Sequence, residues 1–121
     1  MSLASFFSST CETRELHADA QLRTRYYRNS FKDVVAAFEK VAQEEQYDLR
    51  DVNQTHGEIY LLANGFDVIA TVSQITPIES GIDFKINYFG FAGFGRPKAK
   101  AVALYKKLDS FLKFKGVSLH P

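Results

Sequence analysis

Residues 81–88 read Gly-Ile-Asp-Phe-Lys-Ile-Asn-Tyr and alternate apolar and polar side chains without a break. Because successive side chains of a strand point to opposite faces, this pattern predicts a strand with one face inside and the other in water. A loop rich in glycine and phenylalanine follows, and then apolar residues recur at helical spacing over residues 99–115. Pro97 suits the first turn of this helix and Gly116 suits the position after its end.

Upstream of this stretch the sequence predicts one more helix and four more strands. Ser30, followed three residues later by Asp33, is a capping-box signal, and it predicts a helix that runs to about Gln46. The strands are predicted at residues 22–28, 47–53, 58–63 and 66–75. Asn64-Gly65 lies between the last two and predicts a type I′ turn, which needs positive φ at both residues.

The predicted order of elements is therefore β-α-β-β-β-β-α. Consecutive hairpins require antiparallel pairing, and each helix has a single apolar stripe to bury. The fold class predicted is α+β, with an antiparallel sheet of four or five strands and two helices packed on one face. Residues 1–20 are polar and without periodicity, so we interpret them as an N-terminal arm before a single domain at residues 21–121.

Composition places the chain among ordinary globular proteins. It has 121 residues, of which 45% are hydrophobic and 24% charged. Its one cysteine, Cys11, has no partner for an intramolecular disulfide, which favours a reducing, cytoplasmic location. The first residues have no basic region typical of a leader, and no apolar run approaches the roughly 18 residues of a membrane span.

The pattern of reactive side chains predicts no enzyme. His17, His56 and His120 lie far apart in the sequence, so neither a metal site nor a cofactor is predicted. No nucleophile can be assigned a base, and we therefore predict no catalytic residue. Arg23, Arg25 and Arg28 alternate with tyrosines as in a nucleic-acid surface, but the acidic balance of residues 1–95 argues against that partner, and ion pairs explain these arginines as well.

Two groups of residues are candidates for binding. The loop at residues 90–96 precedes a helix, and Phe91, Phe94, Arg96 and Lys98 could hold a small apolar or anionic ligand between the sheet and the C-terminal helix. The alternative is a structural turn whose phenylalanines fill the core. In this second interpretation the loop has no ligand.

The second group lies on the sheet face that the helices leave uncovered. Alternation places Tyr60, Leu62, Ile69 and Ile75 on this face, which would make it more apolar than a solvated surface. The alternatives are that these are scattered single residues, or that the N-terminal arm covers them. The preferred hypothesis is a non-catalytic binding or assembly domain that contacts a protein partner or self-associates through the sheet. A small-ligand carrier is the second hypothesis.

Three segments carry a resemblance to a known group of proteins: Ser-Ser-Thr-Cys-Glu-Thr-Arg-Glu at residues 8–15, Leu-Arg-Thr-Arg-Tyr-Tyr-Arg at residues 22–28, and His-Gly-Glu-Ile at residues 56–59. They are similar to small cytosolic proteins of Bacillus-type bacteria. This resemblance implies a cytoplasmic location and brings no activity or catalytic residue with it. The sheet with a long C-terminal helix also resembles helix-grip domains, several of which bind small apolar molecules, and this implies architecture alone.

Overall fold

The computed structural model describes residues 8–90 and 95–121, so the predicted ligand residues Phe91 and Phe94 lie outside the described part. The described residues form two α-helices, a short 3-10 helix and seven strands in an α+β fold. In chain order the elements are β1 (Thr10–Glu12), a 3-10 helix (Ala20–Leu22), β2 (Arg25–Tyr27), α1 (Phe31–Glu45), β3 (Asp48–Asn53), β4 (Glu58–Leu62), β5 (Phe66–Thr76), β6 (Glu79–Tyr88), α2 (Arg96–Phe111) and β7 (Phe114–Val117).

All strand pairs in the sheet are antiparallel, and the strand order is β3-β4-β5-β6-β2-β7. The long strand β6 pairs with β5 along one edge. Its other edge pairs with β2 at Ser80–Ile82 and with β1 further along, where Cys11 lies opposite Ile86. The segment between β1 and β2 therefore leaves the sheet and returns to it.

Both helices pack on the same face of this sheet, which we call the inner face. The Phe38 ring of α1 and the Tyr105 ring of α2 both contact Phe84 of β6, with ring centroids 6.1 and 4.7 Å from it. Val68 and Ile86 on neighbouring strands are fully buried beneath the helices. The predicted class, an antiparallel sheet with two helices on one face, is confirmed.

The number of strands predicted, four or five, was too low. The five predicted strands are all present, and β1 and β7 are additional. A strand of three residues is too short to show periodicity in the sequence, and β1 exists because its backbone pairs with β6. It lies within the segment interpreted as the N-terminal arm.

The residues that begin β7 were predicted to be the end of the last helix. Helix α2 ends at Phe111, and Leu112 is already extended, with φ −118° and ψ 163°. The Asn29 side chain accepts a hydrogen bond from the Lys113 N–H at 2.8 Å, and the Lys113 carbonyl accepts one from Arg28. Pairing with β2 therefore overrides the local helical pattern. Gly116, predicted to follow the helix, lies in this strand opposite Tyr26.

The two local signals upstream had different outcomes. The capping box at Ser30 is present, with the Ser30 hydroxyl accepting from the Asp33 N–H at 3.2 Å, and α1 follows as predicted. The hairpin between β4 and β5 is also present, but its turn is not type I′. Gly65 has φ 91°, whereas Asn64 does not have positive φ. The prediction was wrong because a glycine at the second turn position alone also satisfies other turn types.

Candidate functional site

The outer face of the sheet has no described helix packed on it, and the strand register fixes which side chains share it. Tyr60 of β4 lies directly between Asp51 of β3 and Ile69 of β5, and Ile69 pairs in turn with Lys85 of β6. Two residues further along β4, Leu62 lies between Asp48 of β3 and Asp67 of β5. Tyr60, Leu62 and Ile69 therefore form one contiguous apolar group, which we call the central patch.

Carboxylates surround the central patch. Following the register outwards, the acidic side chains on this face of strands β3–β5 are Asp48, Asp51, Glu58 and Asp67. The cations nearby are Lys85 on β6 and Arg50 at the bulge of β3, and Arg50 already forms an ion pair with Asp48. This part of the surface is therefore acidic around an apolar centre.

The tyrosine of the central patch is held in place by one of these carboxylates. The Tyr60 hydroxyl donates a hydrogen bond to Asp67 Oδ2 at 2.8 Å. This hydrogen bond raises the pKa of Tyr60, so the phenol stays neutral. The hydrogen bond thereby restrains the ring of Tyr60, which lies opposite Ile69 in the register of β4 and β5.

Ile75, the fourth residue predicted on this face, lies apart from the other three. It is near the end of β5, where the register with β6 shifts between Gln74 and Thr76, and it is 36% exposed. A bulge in a strand interrupts strict alternation, so counting from Ile69 in steps of two does not determine the face on which the Ile75 side chain lies. The structure brings Tyr60, Leu62 and Ile69 together and leaves Ile75 at the far hairpin.

The other end of the outer face is covered by the chain itself. The Tyr26 ring lies over Gly81, and its hydroxyl donates to Glu15 at 2.7 Å. The His120 ring then packs against Tyr26, with centroids 5.0 Å apart. Among the residues that the structure describes, this cover does not extend over Tyr60, Leu62 and Ile69, whose side chains are partly exposed.

A cleft of about 790 Å³ opens beside β1 and the start of α2. Its walls are β1, the segment between β1 and β2, and the first turn of α2. The residues that line it are Ser8, Thr10, Cys11, Glu12, Arg14, His17, Ala18, Asp19, Ala20, Leu22, Pro97 and Lys98. Its volume lies within the range of about 300 to 1,000 Å³ that small-molecule sites have.

An ion pair joins two walls of this cleft. Lys98 Nζ lies 2.7 Å from Asp19 Oδ2, and each side chain is 26% exposed. Asp19 also accepts from the Gln21 N–H at 3.0 Å and so caps the 3-10 helix. The hydrogen bonds from Lys98 and Gln21 hold the pKa of Asp19 below its usual value, so Asp19 is a carboxylate over the ordinary pH range.

His17 and Cys11 are both electrically neutral parts of the lining. His17 Nδ1 accepts from the Asp19 N–H at 3.0 Å, so the neutral ring carries its proton on Nε2. Burial first, and the Arg14 charge second, lower the pKa of His17. Burial also raises the pKa of the Cys11 thiol, which therefore stays protonated and is a poor nucleophile.

The predicted ligand residues are only partly brought together. Lys98 lines the cleft, whereas Arg96 is an exposed residue at the start of α2 outside the lining. The inner face beneath α2 is filled by Ala101, Leu104, Tyr105 and Leu108. Sequence reasoning did not identify Arg14, His17 and Asp19, because the segment they lie in has no periodic signal.

Arg25 of β2 and Arg23, two residues before it, have partners within the protein. Arg25 Nη2 forms an ion pair with Asp109 Oδ2 of α2 at 2.6 Å, and its guanidinium lies 4.0 Å from the centre of the Phe114 ring. Arg23 Nε donates to the His17 carbonyl at 2.7 Å. These contacts favour the interpretation of the arginines as ion-pairing and structural residues.

No family model, curated protein or solved structure matches the chain. The resemblance to small proteins of Bacillus-type bacteria therefore stays a prediction. Among residues 8–90 and 95–121, no three His, Cys, Asp or Glu side chains are grouped to hold a metal ion. In the same part of the chain, no helix has the length and apolar character needed to cross a membrane.

Proposed function

We propose that the protein is a non-catalytic interaction module whose outer sheet face binds a lysine- or arginine-rich segment of another protein. The single observation that carries this proposal is the central patch of Tyr60, Leu62 and Ile69 with four carboxylates around it. An apolar patch on an otherwise solvated sheet provides contact area. The surrounding charge selects a partner of opposite sign and increases the rate of encounter.

The chemistry of the partner follows from this arrangement. Side chains of Asp51 and Asp48 lie on one side of the patch, and Asp67 lies on the other. A segment in which a few apolar residues are flanked by basic residues would place its apolar side chains on Tyr60 and Ile69 and its flanking cations beside these carboxylates. Nucleic acids and anionic membranes carry the wrong charge for this face.

A second copy of the chain is a less favourable partner for the same face. Symmetric dimers bring the same patch of both subunits together. Two copies joined about Tyr60 and Ile69 would place the carboxylates of one face against those of the other, and juxtaposed like charges disfavour association. Self-association through the sheet is therefore ranked below a basic partner.

Fluorescence anisotropy with a labelled synthetic peptide of a few leucines flanked by lysines tests the proposal. The matched probe is the same peptide with glutamate in place of lysine. We expect the lysine peptide to bind, with an affinity that falls as salt is added, and the glutamate peptide not to bind. Equal binding of the two peptides would remove the electrostatic basis of the proposal.

Variants locate the binding to this face. Ile69→Thr keeps a β-branched side chain but removes apolar area, and Asp51→Asn removes one carboxylate beside Tyr60. Both should weaken binding of the lysine peptide. Glu39→Gln, an exposed residue of α1, is the control because it changes the net charge by the same amount as Asp51→Asn. An equal effect of Asp51→Asn and Glu39→Gln would mean that net charge, and not this face, determines binding.

A further inference from the structure

We propose that the cleft between residues 8–22 and the first turn of α2 binds a small organic anion, a carboxylate on a short carbon chain. This site is separate from the central patch. It does not depend on the interaction proposed above. The cleft has the volume for such a molecule, and it combines cationic side chains with an apolar floor.

Arg14 is the first cation available to the anion. Its backbone N–H donates to the Leu22 carbonyl at 3.0 Å, which holds the residue at the cleft. Within residues 8–90 and 95–121, its guanidinium has no hydrogen-bond or ion-pair partner. A guanidinium presents several N–H donors in a geometry that suits carboxylate and phosphate oxygens.

Lys98 is the second cation, and in the structure it forms an ion pair with Asp19. The Lys98–Asp19 pair is partly exposed and links α2 to the segment opposite, so an incoming anion competes with Asp19 for the ammonium group. His17 is oriented by its Nδ1 hydrogen bond and has an Nε2 proton to donate. Arg14, Lys98 and His17 therefore line the cleft as hydrogen-bond donors. Asp19 competes with a ligand for Lys98.

The floor of the cleft accommodates the carbon chain. Leu22 and Pro97 are buried, Cys11 is half-buried beside the core, and all three line the cleft. Glu12 and Asp19 are the acidic members of the lining and disfavour a ligand with several negative charges. A singly charged anion with a short apolar chain matches both the charge and the floor.

Cys11 provides a direct reporter because it is the one cysteine in the sequence. We would measure the rate of its alkylation by iodoacetamide in the presence of hexanoate, hexylamine or hexanol. These probes share a carbon chain and differ in charge. Hexanoate should slow alkylation at concentrations where hexylamine and hexanol do not. Equal protection by all three probes, or no protection by hexanoate, would overturn the proposal.

Variants test the roles of the charged residues. Arg14→Gln should weaken hexanoate protection about fivefold, the effect of a partly exposed ion pair. Asp19→Asn should strengthen it, because asparagine can still cap the 3-10 helix while Lys98 becomes free. Lys106→Gln, an exposed site further along α2, is the matched control and should have no effect.

The Asp19→Asn result separates this site from general charge attraction. Both Asp19→Asn and Asp51→Asn raise the net charge by one, but only Asp19 pairs with Lys98. Equal strengthening by the two variants would contradict a role for the ion pair. Failure of the hexanoate test leaves peptide binding at the central patch unaffected, since the two assays share no ligand and Asp51→Asn serves in the hexanoate test only as a charge control.

Discussion

Asp83 Oδ1 accepts a hydrogen bond of 2.7 Å from the hydroxyl of Thr13, which lies 70 residues away in the sequence. Thr24 donates to the same carboxylate at 2.8 Å, so Asp83 holds both ends of the segment that leaves the sheet between β1 and β2. Thr13 Oγ1 in turn accepts from the Phe84 N–H at 2.8 Å. This arrangement positions the wall of the cleft that carries Arg14 and Asp19.

Asp83 should make stability depend on pH. Burial raises the pKa of Asp83, and the hydrogen bonds from Thr13 and Thr24 only partly oppose this effect. The folded protein therefore holds the Asp83 proton more tightly than the unfolded chain, and ionisation of Asp83 reduces stability as the pH rises through this range. Asp83→Asn removes that dependence. In urea unfolding from about pH 4 to about pH 7, wild-type protein should lose stability relative to Asp83→Asn as the pH increases. A difference in the free energy of unfolding that stays constant over this pH range would contradict a raised pKa of Asp83.

Gly81 should not tolerate a side chain. A Cβ atom at this position would lie 2.6 Å from Cε2 of Tyr26, inside van der Waals contact, although the backbone of Gly81 is not in the positive-φ region. Gly81→Ala should therefore destabilise the fold by roughly 1 to 3 kcal/mol, as overpacking does. Thermal and urea unfolding would measure the change. Adding Tyr26→Leu should recover part of the loss, whereas simple additivity of the two variants would show that the contact is not the cause.

The Tyr27 hydroxyl should contribute to stability more than the Tyr60 hydroxyl. Both donate to an aspartate, Tyr27 to Asp109 at 2.7 Å and Tyr60 to Asp67 at 2.8 Å, but Tyr27 is fully buried whereas Tyr60 is on the outer face. Tyr27→Phe should cost about 1 kcal/mol or more. Tyr60→Phe should change the free energy of unfolding by less than about 0.5 kcal/mol. Equal losses of unfolding free energy for Tyr27→Phe and Tyr60→Phe in urea would show that burial of the hydroxyl does not determine its contribution.

Local and periodic signals in the sequence predicted most of the fold. The alternation of residues 81–88 and the capping box at Ser30 are determined by neighbouring residues, and both features are present. Strands β1 and β7 could not be predicted because they depend on pairing with distant partners. Lys113, for example, is extended because Asn29 and Arg28 bind its backbone.

The candidate sites were predictable to different extents. Tyr60, Leu62 and Ile69 follow from alternation once β4 and β5 are recognised as a hairpin. The carboxylates around them required the register of β3, which a bulge between Leu49 and Asp51 shifts. The cleft required the path of residues 13–24, which depends on hydrogen bonds to Asp83 and has no counterpart in the sequence pattern.

The most direct test of the central claim is an amide NMR titration of isotope-labelled protein with the peptide of leucines flanked by lysines. We expect the largest shifts at residues of β3, β4 and β5 beside the central patch, including Tyr60 and Ile69, and no shift at Glu39 on α1. Shifts concentrated on the helices, or no change beside Tyr60 and Ile69 while the peptide binds, would contradict binding at the outer sheet face.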